Sequence, residues 1–333
     1  MTVFIIAEAG VNHNGSIETA REMILVAKEA GADGVKFQTA VPDLVATPHV
    51  PKAAYQSRTT TSSESQLDML KKLHFPLDRY GELKIHCEKQ GIEFMSTAFD
   101  EVSLEALSRL DLERIKIPSG EITNLPYLRH VALMGKPVVM STGMATLAEV
   151  SAAMEVLLGG GIEKEDLTIL HCNTDYPTPM TDVNLQAMLT IRDELGVKVG
   201  YSDHTLGIEV PIAAVAMGAT VVEKHFTLDR RMQGPDHAAS LEPHELRSMV
   251  VAIRNIEKAL GDGVKIPSNS ELENIAVVRK SIVAKRAIYQ GDLFSDENLA
   301  VKRPGTGISP MLWDKVLGHR AERDYAKDDS IDL

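Results

Sequence analysis

Two histidines and two lysines carry the clearest chemical signal in this chain. His204 and His225 each close a short β-branched run, VKVGYSDH and TVVEKH, with Asp203 and Glu223 beside them to orient an imidazole or a metal-bound water. Two imidazoles at the ends of neighbouring strands, helped by a carboxylate or water, suit a Lewis-acidic divalent ion such as Mn²⁺, Fe²⁺, Zn²⁺ or Mg²⁺. A metal-free general acid/base histidine is the competing reading. His171 fits a supporting role or a third ligand. Lys36 and Lys116 lie inside similar runs, GVKFQT and RIKIPS. Buried ammonium groups need anions. Ser119, Ser141, Thr142 and Ser202 offer hydroxyls around them, and Gly120 and Gly143 allow close backbone approach. The set implies a phosphate or carboxylate pocket, with a Schiff-base lysine as the alternative. Asp236, in the block Gly234–His237, brings one more carboxylate to the same region.

Eight strand-and-helix units are needed to position these groups. The strand candidates are 3–9, 34–39, 93–97, 114–119, 137–142, 168–173, 197–204 and 220–226, all close to continuous apolar runs. Amphipathic stretches alternate with them at 17–30, 77–90, 101–110, 125–134, 147–158, 185–195, 208–217 and 243–260. Ser16 is positioned as an N-cap and Gly31 as a C-terminal stop for the first helix. Eight repeats predict a closed (β/α)₈ TIM barrel over 1–262, with its active site at the carboxyl ends of the strands. An open doubly wound sheet is disfavoured because the first turn reads GVNHNG rather than GxGxxG. Polar residues end nearly every strand, among them Glu8, Gln38, Thr97 and Glu121. Burying so many is costly unless ligands or one another satisfy them. A long insertion, 40–76, with Pro42, Pro48, Pro51 and the polar run Thr59–Ser63, reads as a functional lid. A linker is expected at 263–279. A small β-rich domain follows at 280–333, with a turn at Gln290-Gly291-Asp292.

Composition removes several classes of function. The net charge of −12 argues against nucleic-acid and anionic-membrane partners. Residues 280–333 hold nine basic and nine acidic side chains, so the whole excess lies in the barrel and linker. Cys87 and Cys172 are too few for a disulfide framework or a Cys₄ zinc site, and they suit a reducing cytoplasm. The N-terminus lacks the basic region and apolar stretch of a signal peptide.

Ten segments together resemble the bacterial sialic acid (nonulosonic acid) synthases: IIAEAGVNHNGS, GVKFQT, STAFD, KIPSGEITNLPYL, STGMAT, HCNTDYPTP, GYSDHTLG, EKHFTLD, GPDHAASL and VKRPGTGISP. The last lies in what resembles the family's antifreeze-like (SAF) domain. Ala98 departs from the family's usual proline. The resemblance implies condensation of phosphoenolpyruvate with an open-chain N-acetylmannosamine-type aldehyde, phosphate leaving by C–O cleavage. It places a divalent metal, typically Mn²⁺ with Mg²⁺ or Co²⁺ as alternatives, on His204 and His225. It gives Lys36, Thr97, Lys116, Ser119, Ser141, Thr174 and Ser202 to phosphoenolpyruvate. Glu8, Gln38, Glu121, Tyr176 and Asp236 would orient sugar or water, and Glu223 would activate water. Arg303 would reach the partner's barrel in a domain-swapped homodimer. The motifs fit both the N-acetylneuraminate and the N,N'-diacetyllegionaminate branches, with a slight preference for the former.

Overall fold

The structure is a computed structural model that describes residues 2–60 and 64–333; positions 61–63 of the polar run Thr59–Ser63 lie outside the described residues. The chain divides into two units, 1–261 and 262–333. In the first, eight parallel strands close into a barrel in sequence order: β1 (Phe4–Gly10), β2 (Gly34–Thr39), β3 (Glu93–Ala98), β4 (Ile115–Ile117), β5 (Val138–Ser141), β6 (Leu167–Cys172), β7 (Lys198–Asp203) and β8 (Val221–His225). β8 pairs with β1, with His225 opposite Glu8. The expected TIM barrel is the observed fold.

Alternation along each strand builds two cores. Outward residues such as Ile5, Ala7, Val35, Phe37, Phe94 and Ile169 pack against the helices. Inward residues form layers. Ile6, Met95, Val139, Leu170 and Val221 plug the barrel. Two positions further along these strands come Glu8, Thr97, Ser141, Cys172 and Glu223. The side chain therefore changes from aliphatic to functional in a single inward step. Gly200 completes the plug: a Cβ there would lie 2.3 Å from the Val221 carbonyl oxygen and 2.6 Å from Leu170.

Helix α1 (Ile17–Ala30) follows β1, capped by the Ser16 hydroxyl on Thr19 N–H and stopped by Gly31 at φ 87°. Three short helices, α2 (Pro42–Val45), α3 (Ala54–Thr59) and α4 (Gln66–Leu73), occupy the insertion. The outer ring continues with α5 (Arg79–Gln90), α6 (Glu101–Ser108), α7 (Leu125–Leu133), α8 (Leu147–Gly159), α9 (Leu185–Leu195), α10 (Glu209–Ala216) and α11 (Pro243–Ala259). No helix among the described residues is long and apolar enough to cross a membrane.

In the second unit the expected linker is not plain coil. It holds helix α12 (Asn269–Val278), started by Glu271, whose carboxylate accepts from the Ser268 N–H at 2.9 Å and hydroxyl at 3.0 Å. The last turn of α12 takes the Gly305 N–H on the Ala276 carbonyl, which joins it to the small domain. There β9 (Ser281–Ala284) pairs antiparallel with β10 (Leu299–Lys302), and a four-residue helix α13 (Trp313–Val316) follows. A separate core of Ile282, Ile288, Phe294, Leu299, Val316 and Tyr325 holds this unit together. Gly291 sits in the expected turn at φ 91°.

Candidate active site

A cavity of about 450 Å³ opens at the carboxyl ends of the barrel strands. It is lined by thirteen of the expected residues: Glu8, Lys36, Gln38, Thr97, Lys116, Ser119, Ser141, Thr174, Tyr176, Ser202, His204, Glu223 and His225. Its floor is a network of buried charge. Lys36 Nζ lies 2.9 Å from Glu8 Oε2 and 3.7 Å from Glu223 Oε1, and it donates to Thr97 Oγ1 at 3.0 Å. Lys116 Nζ donates to Ser141 Oγ at 2.6 Å and lies 3.8 Å from Glu223 Oε2. Ser202 donates to Glu223 Oε1 at 3.1 Å. Two lysines facing two carboxylates balance one another, so the site can be buried without a ligand.

The environment splits the acidities of these groups. Burial raises Glu8 to about 7, with the Glu223 charge adding and Lys36 opposing. Burial pushes the same way at Glu223, but Lys116 and Lys36 outweigh it and hold that carboxyl below its ordinary value. Lys116 is lowered by burial and by Lys36. Burial would also lower Lys36, but Glu223 and Glu8 reverse the sign. Glu223 is thus the more acidic of the two carboxyls. Its Oε2 is buried without a hydrogen-bond partner, with Lys116 Nζ 3.8 Å away.

The other wall is aromatic. Tyr176 stacks on His204 at 4.0 Å between ring centroids and meets His225 edge-on at 5.5 Å. The two imidazoles are 5.3 Å apart. His204 Nδ1 is held on the Asn173 carbonyl, which leaves Nε2 as the lone-pair nitrogen. Burial keeps both imidazoles neutral, the ligating form, taking His204 to about 4 and His225 well below its ordinary value. His225 Nδ1 has no hydrogen-bond partner, with Asp236 Oδ2 3.8 Å away. A neutral imidazole pair with an orphaned nitrogen fits a metal. Among the described residues no group of three or more His, Cys, Asp or Glu side chains could hold one. A divalent ion here would rest on these two imidazoles.

Other expected residues have contacts of their own in the structure. Asp203 does not orient His204: it ion-pairs with fully buried Lys224 and accepts the Thr205 N–H. Glu223 serves the lysines rather than an imidazole. Thr142 donates to the Leu170 carbonyl at 2.9 Å and does not line the cavity. His171 is engaged with the Val183 carbonyl at 2.9 Å, also outside the cavity. Glu121, half-buried, accepts from Asn124 at 2.6 Å and lines no part of the cavity. Asp236 lines an adjoining cavity of about 300 Å³. Arg303 belongs to the second unit, is exposed, and donates from Nε to the Val278 carbonyl at 3.0 Å. Gly143 does permit close approach: its N–H meets Ser119 Oγ at 2.9 Å, and a Cβ would lie 2.4 Å from Thr174.

Sequence reasoning missed Tyr55, Gln56, Gln66 and Phe99 in the wall and Cys172 in the floor. Cys172 had a signal, because it alternates in phase with Leu170 on β6. Tyr55, Gln56 and Gln66 had none, since the insertion has no strand period to read.

Comparison with known proteins agrees with this geometry. Residues 23–265 match the NeuB family and residues 279–332 the SAF domain. The N,N'-diacetyllegionaminic acid synthase of Campylobacter jejuni is 50% identical over 98% of both chains. That of Legionella pneumophila is 48% identical over 96% of this chain and 90% of its own. The crystal structure of the N-acetylneuraminic acid synthetase from Leptospira borgpetersenii, in complex with citrate, superposes with a TM-score of 0.72 at 35% identity, covering 83% of this chain and 90% of that one. The buried lysines and carboxylates, the facing histidines and the sequence matches make one case: the chain is an enzyme of the NeuB family with a C-terminal SAF domain.

Proposed function

We infer that this enzyme condenses phosphoenolpyruvate with 2,4-diacetamido-2,4,6-trideoxymannose to give N,N'-diacetyllegionaminate and phosphate. The observation that carries the chemistry is the pair of buried lysines, Lys36 and Lys116, set among the hydroxyls of Thr97, Ser119, Ser141 and Ser202. Such a cluster suits the phosphate and carboxylate of phosphoenolpyruvate. The choice of sugar rests on the two legionaminate synthases at 50% and 48% identity. They support that branch over the N-acetylneuraminate reading that the motifs alone slightly favoured.

Lys36 and Lys116 hold the anionic substrate and Thr174 borders it. Tyr176 and Gln38 orient the sugar, whose aldehyde carbon receives carbon 3 of phosphoenolpyruvate. The carbonyl oxygen takes up a proton, which Glu8, raised to about 7, is placed to give, and leaves the step as a hydroxyl. Water then adds to carbon 2, and Glu223 Oε2 is placed to take its proton. Breakage of the bond from carbon 2 to the phosphate oxygen releases phosphate and leaves a 2-keto acid. A divalent ion such as Mn²⁺ on His204 and His225 would polarise the aldehyde. A Schiff-base aldolase is disfavoured because both lysines are engaged with carboxylates or hydroxyls. Arg303 is assigned to the sugar site of a partner subunit. Mixing Arg303→Ala with Lys116→Ala protomers is expected to restore partial activity, and no recovery removes that assignment. The reaction is tested by phosphate release: EDTA sensitivity supports it, while borohydride trapping with pyruvate contradicts it.

A further inference from the structure

The 300 Å³ cavity beside the catalytic one has a different character. The two share Gln38, Tyr55, Gln56, Gln66, Phe99 and Tyr176, so these residues stand at the boundary between them. Beyond that boundary the walls are mostly aliphatic. Val45 comes from α2, Met69, Leu70 and Leu73 from α4, and Val11 from the end of β1. Met69, Leu73 and Val11 are buried against one another, with Leu70 packed on them. The walls are held together: α2 packs on α4, Lys71 on α4 pairs with Asp43 on α2 at 2.6 Å, and Asp100 accepts the Val41 N–H at 2.8 Å. Two polar groups interrupt the surface. His74 is already engaged with the Gln38 carbonyl at 3.2 Å, and Asp236 sits at the edge nearest His225.

The amides at the boundary are underused. Gln56 spends its Oε1 on the Ala53 N–H at 3.0 Å, and its amino group, which also meets the Tyr55 hydroxyl, keeps one hydrogen to give. Gln66 makes no side-chain hydrogen bond among the described residues. A side-chain amide offers both donor and acceptor, which matches an acetamido group edge to edge. Aliphatic walls behind such a pair suit methyl groups and leave a hydroxyl without partners. A six-carbon aldehyde whose carbonyl lies at the histidines runs past Tyr176 and Asp236 toward this space.

We propose that this annex is the specificity site for the tail of the sugar. It takes the C4 acetamido group against Gln56 and Gln66 and the C6 methyl against Val45 and Leu70. The proposal rests on the synthase reading above and adds which residues choose the substrate. The closing experiment compares kcat/KM for 2,4-diacetamido-2,4,6-trideoxymannose and N-acetylmannosamine in the full-length enzyme and in Leu70→Gln and Val45→Thr. Leu70 is only partly buried and Val45 is 38% exposed, so both variants are expected to fold, and KM for phosphoenolpyruvate reports on the rest of the site. The preference for the deoxy sugar is expected to fall roughly tenfold in each variant. An unchanged ratio, or an equal loss on both sugars, overturns the annex while leaving the synthase reading intact. Release of phosphate with neither sugar in the wild-type enzyme overturns both.

Discussion

The floor of the barrel mouth and the wall supplied by residues 40–76 are built on opposite principles. The floor stands on strands. Glu8, Lys36, Lys116 and Glu223 project from backbone paired on both sides, and each lysine faces a carboxylate. The wall stands on three short helices, with amides that keep hydrogen-bonding capacity and aliphatics that range from buried Met69 and Leu73 to exposed Val45. Rigid strands fix charges to within hydrogen-bonding tolerance, which bond making and breaking demands. Short helices can be resized without disturbing the barrel, which substrate choice demands. The difference fits the proposed division, in which the floor carries the reaction and the wall chooses the reactant.

This division can be broken experimentally. The largest effect is expected at the histidines: if His204 and His225 hold the metal as proposed, His204→Ala should lower kcat about a thousandfold, with loss of the response to added Mn²⁺. A wild-type rate in that variant ends the metal assignment. Lys116→Ala comes next, with a fall of about 10²–10³-fold in kcat/KM as a buried donor to the substrate anion is lost. A change confined to KM for the sugar would place Lys116 in the wrong half. The strands' rigidity is tested by Asp203→Asn. It leaves the buried Lys224 ammonium without a counter-charge, held only by the Thr205 carbonyl and an amide oxygen, at a cost of about 3 kcal/mol in denaturant unfolding. Unchanged stability would show that this pair does not brace the floor. The smallest effect is expected in the wall. Gln66→Ala should raise KM for the sugar about 3–10-fold and leave KM for phosphoenolpyruvate unchanged.

The same division explains what the sequence discloses. The eight strands and the positions of Lys36, Lys116, His204 and His225 are legible because inward alternation and apolar runs leave a period to read. Asp203 misled for a related reason. It is adjacent to His204 along the strand and therefore points the opposite way, outward to Lys224. Glu121 follows a three-residue strand and sits in a 3₁₀ turn, where strand alternation no longer applies. Gln56 and Gln66 come from an insertion whose proline-rich start signals a loop and conceals three helices. The helix in the expected linker was hidden by flanking glycines and prolines, although Ser268 and Glu271 have the spacing of a helix start.

The central claim is that the floor condenses phosphoenolpyruvate while the wall selects a 6-deoxy, twice acetylated sugar. Steady-state phosphate release from phosphoenolpyruvate, measured with 2,4-diacetamido-2,4,6-trideoxymannose and with N-acetylmannosamine, tests it directly. Stoichiometric, EDTA-sensitive release with kcat/KM at least tenfold higher for the deoxy sugar is the expected result. Equal or better use of N-acetylmannosamine would contradict it.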